Sequence, residues 1–99
     1  MVIEHALLSV IPGRETEFLT AFGAARSIIA AMPGFRDLRL SRSIEQPNQF
    51  LLLVEWNQLT DHTVGFRGSA QYQEWKALLH HFYDPFPEVS HFIEVTHQP

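Results

Sequence analysis

Residues 50–56 read Phe50-Leu51-Leu52-Leu53-Val54-Glu55-Trp56, five apolar side chains in a row followed by a carboxylate and an indole. A strand with one face in water alternates apolar and polar residues, whereas a strand covered on both faces reads as an unbroken apolar run. The stretch, continuing to Asn57, is therefore expected to be a central or sandwiched strand. Immediately before it, Gln46-Pro47-Asn48-Gln49 carries turn chemistry. Further upstream, Phe35 to Glu45 alternates, with Leu38, Leu40 and Ile44 on one face and Asp37, Arg39, Ser41 and Ser43 on the other. The two segments make a hairpin of strands two and three.

Val2 to Ile11 is rich in β-branched and aliphatic residues, with Glu4, His5 and Ser9 interspersed, and ends at Pro12-Gly13. This is strand one. From Gly13 the period changes to three and four, through Phe18, Phe22, Ala25, Ile29 and Met32, with Glu15 and Glu17 placed to favour the start of a helix dipole. That helix stops at Met32-Pro33-Gly34.

Beyond strand three, Thr60 is expected to cap a short helix running through His62 and Phe66. Ser69 caps a longer one with Tyr72, Trp75, Leu78, Leu79 and Phe82 on one stripe, and Gly65 and Gly68 mark the break between the two. Tyr83-Asp84-Pro85-Phe86-Pro87 cannot continue a helix, and Val89 to Thr96 alternates as a fourth strand.

The order βαββαβ is that of the ferredoxin-like α+β fold, in which a four-stranded antiparallel sheet carries both helices on one face. Its other face needs cover, because apolar residues occupy both parities of strands one and three. In so short a chain only a second copy supplies that cover. The expected assembly is a homodimer.

Composition supports this. Ninety-nine residues and 11.4 kDa allow one domain, residues 1–99. The charged share is only 18%, against about 25% for typical soluble domains, which implies that part of the surface does not face water. A net charge of −4 with no basic run argues against nucleic-acid binding. No apolar stretch is long enough to span a bilayer, so no membrane role is expected. The chain starts on strand-like Val2-Ile3-Glu4-His5 rather than a basic and then an apolar segment, and it contains no cysteine. Both features read as cytoplasmic.

Phosphate-loop, nucleophile-elbow and His-Glu-x-x-His patterns are all missing from the sequence. Six histidines, His5, His62, His80, His81, His91 and His97, raise the question of a metal. Their spacing is poor: His80 and His81 are adjacent and point about 100° apart on a helix. His5 and His91 lie on neighbouring strands, where a cross-strand meeting is open to them. No metal site is assigned. The aromatic load is more informative, because Trp56, Phe66, Tyr72, Trp75 and Phe82 surround one cleft between helices and sheet, a lining suited to a small flat ligand. His62, six residues past Trp56, reaches the same cleft and titrates in the range needed for proton transfer. Lys76, the only lysine, lies on the second helix.

Leu53-Val54-Glu55-Trp56, then Asp61-His62, then Gly65-Phe66-Arg67-x-Ser69-x-x-Tyr72-x-x-Trp75, within a βαββαβ chain of this size, resembles the antibiotic biosynthesis monooxygenase domain family. The likeness runs from Val2 to about Thr96. It implies a dimeric α/β barrel, formed by two sheets packed face to face, with a pocket in each subunit. Some members oxidise phenolic or quinol compounds with dioxygen and no flavin, metal or haem; others degrade haem, isomerise small metabolites or have no known activity.

In members acting on aromatic polyketides, the resemblance places site residues at the strand-three tryptophan, four residues before it, and six and twenty residues after it. These positions hold Trp56, Leu52, His62 and Lys76 here. The haem-degrading set would fall at Ala6, Phe66 and Lys76, which lacks the axial histidine.

The expectation is a cofactor-independent monooxygenase acting on a small aromatic such as a quinol or polyhydroxylated ring. His62 serves as base and Lys76 as anion partner, and Trp56, Phe66, Tyr72, Trp75 and Phe82 hold the ring. The alternatives are a non-catalytic dimeric binding or stress-response module that holds a small apolar metabolite, and a small-metabolite isomerase, for which Arg39 and Arg67 are the available cations.

Overall fold

The computed structural model describes residues 1–95. Four strands, β1 (Val2–Ser9), β2 (Phe35–Arg42), β3 (Gln49–Trp56) and β4 (Val89–Ile93), form one antiparallel sheet in the order β2-β3-β1-β4. Two α-helices, α1 (Glu15–Ala30) and α2 (Ala70–Leu79), pack on one face of it, giving the expected ferredoxin-like α+β arrangement.

The apolar run of residues 50–56 becomes the inner strand β3, flanked by β1 and β2. Phe50, Leu52, Val54 and Trp56 point to the helices and are buried, while Leu51, Leu53 and Glu55 on the opposite face are half-buried. On β1 the same alternation turns Glu4, Ala6 and Leu8 inward. Helix α1 answers with Phe18, Phe22, Ala25 and Ile29, and α2 with Trp75 and Leu79, which closes one continuous core. Phe18 sits at its centre, with ring contacts to Phe22, Phe50, Phe82 and Tyr83. Full burial of rings of this size stabilises the fold by about 1.5–3 kcal/mol each.

The differences from expectation lie at element ends. β1 stops at Ser9, because Val10 leaves the ladder to pair with Tyr83. β2 stops at Arg42, and Ile44 lies in the following turn, 90% exposed, rather than on the apolar face. β4 is only five residues long, and the expected end of the strand at Thr96 lies outside the described residues. Ser69 caps α2 as expected, its Oγ accepting from the Tyr72 N–H at 3.1 Å. Thr60, however, makes no side-chain cap; the short helix Asp61–Phe66 is a wide π-type turn, with the Asp61 carboxylate accepting from the Gln58 N–H at 2.9 Å.

Gly34 fixes where that turn sits. Its φ of +83° is open to glycine, and a Cβ there would collide with the Asp61 side chain. The carbonyl of Gly34 also accepts from the Asn57 N–H at 2.8 Å. The end of α1 and the end of β3 thereby clamp the start of the segment that carries His62.

Candidate active site

Four elements bring polar groups together beneath the helices. β1 contributes Glu4, whose neighbour across the β1–β4 ladder is His91. β3 contributes Trp56, whose indole Nε1–H donates to Glu4 Oε1 at 3.0 Å. The π-turn contributes His62, its imidazole stacked on Trp56 with centroids 5.6 Å apart and planes at 23°. His62 Nε2 lies 3.3 Å from Glu4 Oε1, and its Nδ1 lies 2.8 Å from His91 Nε2. Among the described residues, Glu4 and His62 are the two buried polar ones, 6% and 3% exposed.

Burial drives the charge states. Glu4 is raised above the ordinary carboxylate value by desolvation, partly opposed by the Trp56 hydrogen bond and the Arg67 charge. His62 is lowered to about 3 by desolvation, with Arg67 and His91 adding to the effect, so its ring is neutral at pH 7. His91 is lowered by its partial burial and by Arg67. Both members of the Glu4–His62 contact are pushed toward their neutral forms, so the contact is a polar link around an uncharged imidazole rather than an ion pair.

The cluster forms one end of a cavity of about 380 Å³, near the lower end of the range for ligand pockets. Ala6, Leu8 and Leu52 form its floor, and Phe66, Tyr72 and Trp75 its helix-side wall. Beyond them stand His80, Tyr83 and Phe86, which contact one another ring to ring. Glu4 and Leu8, both in the lining, are roughly 13 Å apart along β1 by the strand rise, so the cavity is elongated. Burial raises the Tyr83 hydroxyl pKa and lowers that of His80, with Lys76 adding to the latter. The end away from Glu4 therefore presents a phenol that stays protonated.

Of the residues singled out from the sequence, His62, Phe66, Tyr72 and Trp75 line this cavity together. Trp56 and Phe82 do not: both are buried behind it, Trp56 under His62 and Phe82 against Phe18. Lys76 is exposed on α2 and outside the lining, and the cation that lines the cavity is Arg67. His5 and His91 do not meet, because adjacent-strand register puts them on opposite faces; His5 packs edge-on against Phe92 on the outer one. Among the described residues no group of three such side chains is arranged to hold one metal ion.

Sequence reasoning passed over Glu4. The available signal was its parity: it shares an inward-facing register with Ala6 and Leu8, and a carboxylate on that face must be held by something.

With this geometry in hand, the comparisons with known proteins are informative. Residues 1–78 match the model of the antibiotic biosynthesis monooxygenase family. An uncharacterised Bacillus subtilis protein, YczJ, is 55% identical over 95 residues, covering 96% of this chain and all of that one. A candidate antibiotic biosynthesis monooxygenase from Bordetella bronchiseptica superposes with a TM-score of 0.91 at 36% identity, covering 96% of this chain and 97% of the other. SnoaB, a cofactor-independent oxygenase from Streptomyces nogalater, shares the fold with a TM-score of 0.84 at 18% identity, covering 99% of this chain and 96% of its own.

Proposed function

The chain belongs to the antibiotic biosynthesis monooxygenase family, and from that premise we propose that it oxidises a small hydroxylated aromatic, a quinol or polyhydroxylated ring, with dioxygen and no cofactor. The observation that carries the reading is the pairing, in one aromatic-walled cavity, of a buried carboxylate–imidazole cluster with an arginine.

The chemistry requires little beyond that. Removing a proton from an electron-rich ring gives a phenolate or enolate, which passes one electron to dioxygen. The two radicals then combine at a ring carbon to form a C–O bond. Loss of that carbon's one hydrogen as a proton, with cleavage of the O–O bond, leaves a carbonyl and water. In sum, a ring C–H becomes C=O, the O–H and C–H hydrogens leave in H2O with the second oxygen atom, and all four electrons come from the substrate. The protein supplies a proton acceptor, a charge near the developing anion and an environment poor in water.

The Glu4–His62 cluster is the proton-accepting end. Arg67 takes the anion-stabilising part that the sequence reading gave to Lys76. Phe66, Tyr72 and Trp75 clamp the ring, while Trp56 and Phe82 support the site from behind. The elongated cavity favours a fused or substituted ring over a lone benzene ring.

A homodimer completes the reading. The sheet's outer face carries Leu7 and Phe92, 47% and 53% exposed, beside half-buried Ile3, Leu51 and Leu53. A second copy packed there would cover this apolar surface.

Oxygen uptake by chelator-treated protein, over a panel of quinols and polyhydroxylated aromatics, tests the function. Uptake above autoxidation supports it. Background rates throughout, together with saturable binding of panel members, would replace the enzyme with a binding module.

A further inference from the structure

We propose that Glu4 Oε2 is the atom that takes the proton from a hydroxylated aromatic ligand, with His62, His91 and Trp56 as positioning residues. This rests on the reading of the cavity as a site for such ligands.

His62 is the natural candidate for the base, yet both of its nitrogens face protein groups, Nε2 with Glu4 Oε1 at 3.3 Å and Nδ1 with His91 Nε2 at 2.8 Å. In the base form that the proposal requires, Glu4 is ionised and only accepts, so the proton facing it sits on His62 Nε2. Nδ1 is then bare and accepts from the His91 Nε2–H. In that form the tautomers are set in series: His91 donates to His62, whose Nε2–H faces Glu4. The ring has no lone pair left for a ligand.

Glu4 does. Oε1 accepts from the Trp56 indole and has His62 Nε2 3.3 Å away, whereas Oε2 makes no contact of either kind among the described residues. Glu4 also lines the cavity, and no buried side-chain polar atom among the described residues lacks a partner, so Oε2 is an accessible oxygen. The Trp56 donor and the nearby imidazole sit on the Oε1 side of the carboxylate and leave Oε2 as the acceptor. The three side chains cannot instead chelate one ion, because Glu4 and His91 approach His62 at its two different nitrogens.

In the step itself, the ligand O–H bond breaks, its proton moves to Oε2 and its electron pair stays on the ligand oxygen as phenolate. The charged and titratable groups around Glu4 are His62 from the π-turn, His91 from β4 and Arg67 beyond the turn, with His80 and Tyr83 elsewhere in the cavity. A carboxylate raised by burial is a stronger base than one in water, and Arg67 favours the anion it creates.

Equilibrium dialysis of 2-naphthol, a phenol that stays neutral in acid and near neutrality, tests the assignment without needing turnover. Folding is checked by circular dichroism at each pH. A phenol donating to an ionised carboxylate should lose about tenfold in affinity on acidification from about pH 8 to about pH 4.5, the difference between a charge-assisted and a neutral hydrogen bond. E4Q removes that dependence, and E4D restores it in part. H62Q, which keeps a donor toward Glu4, retains it, as does H80Q. Dependence that survives E4Q and vanishes in H62Q assigns the proton to the imidazole and overturns the proposal. Wild-type protein that binds naphthol with no pH dependence, or not at all, overturns it too. Binding that follows this pattern without oxygen uptake upholds Glu4 and defeats the oxygenase reading instead.

Discussion

Trp56 Nε1 donates to Glu4 Oε1 at 3.0 Å, across the buried face between β3 and β1. A core indole and a core carboxylate thus satisfy each other. The hydrogen bond orients the acid without neutralising it, which is how a buried carboxylate remains usable.

Trp56→Phe keeps most of the apolar volume and removes that donor. It should destabilise the fold by about 1–3 kcal/mol, because an acceptor is left short of a partner. It should also raise the Glu4 pKa, moving the acid limb of any pH–rate profile upward. Chemical denaturation and the profile check the two effects separately.

Arg67→Gln should leave the melting temperature nearly unchanged, since Arg67 is exposed and makes no ion pair within 4.0 Å among the described residues. It should lower kcat/KM by about 10–100-fold through lost anion stabilisation. Lys76→Gln should leave kcat/KM within about twofold, because Lys76 lies outside the cavity lining. Parallel steady-state kinetics of the two variants decide which cation serves the site.

Stability should respond to acid through two opposed groups. His62 is lowered to about 3 in the folded chain from its ordinary 6.5, so the unfolded chain binds the extra proton first and stability falls as pH drops from 6.5 toward 3. Glu4 is raised, so its contribution is fully present below the unfolded value of 4.5 and is lost as pH rises through its folded value. E4Q should therefore be more stable than wild type near neutral pH. H62Q should soften the loss of stability in acid. Urea unfolding at a series of pH values reads both.

Leu7→Glu with Phe92→Glu places charges on the outer face of the sheet, away from the cavity. If two copies pack there, native mass spectrometry should show a dimer for wild type and monomer for the double variant. A monomeric wild type at micromolar concentration would remove the barrel from the account.

Periodicity made the fold legible because its main signals were local: the apolar run at 50–56, the three-and-four spacing from Phe18 to Ile29, and the Ser69 cap. Strand ends were less readable. Ile44 continues the alternation in sequence, but the turn at Arg42 has already taken the chain off the sheet. The aromatic wall of Phe66, Tyr72 and Trp75 followed from helix spacing, whereas membership of the cavity did not, since Trp56 and Phe82 look equally suitable until their neighbours fill the space in front of them. Glu4, His62 and His91 are brought together by strand register and a π-turn, and pairings between residues 58 or 29 positions apart have no local trace.

Isotopically labelled dioxygen, supplied to metal-depleted wild type and E4Q with the panel member that gives the fastest uptake, traces both oxygen atoms. One labelled oxygen atom should appear in each product molecule and the other in water, with E4Q slower by about 100-fold or more while still folded. Unlabelled product, or an E4Q rate equal to wild type, would contradict cofactor-free oxygenation with Glu4 as the base.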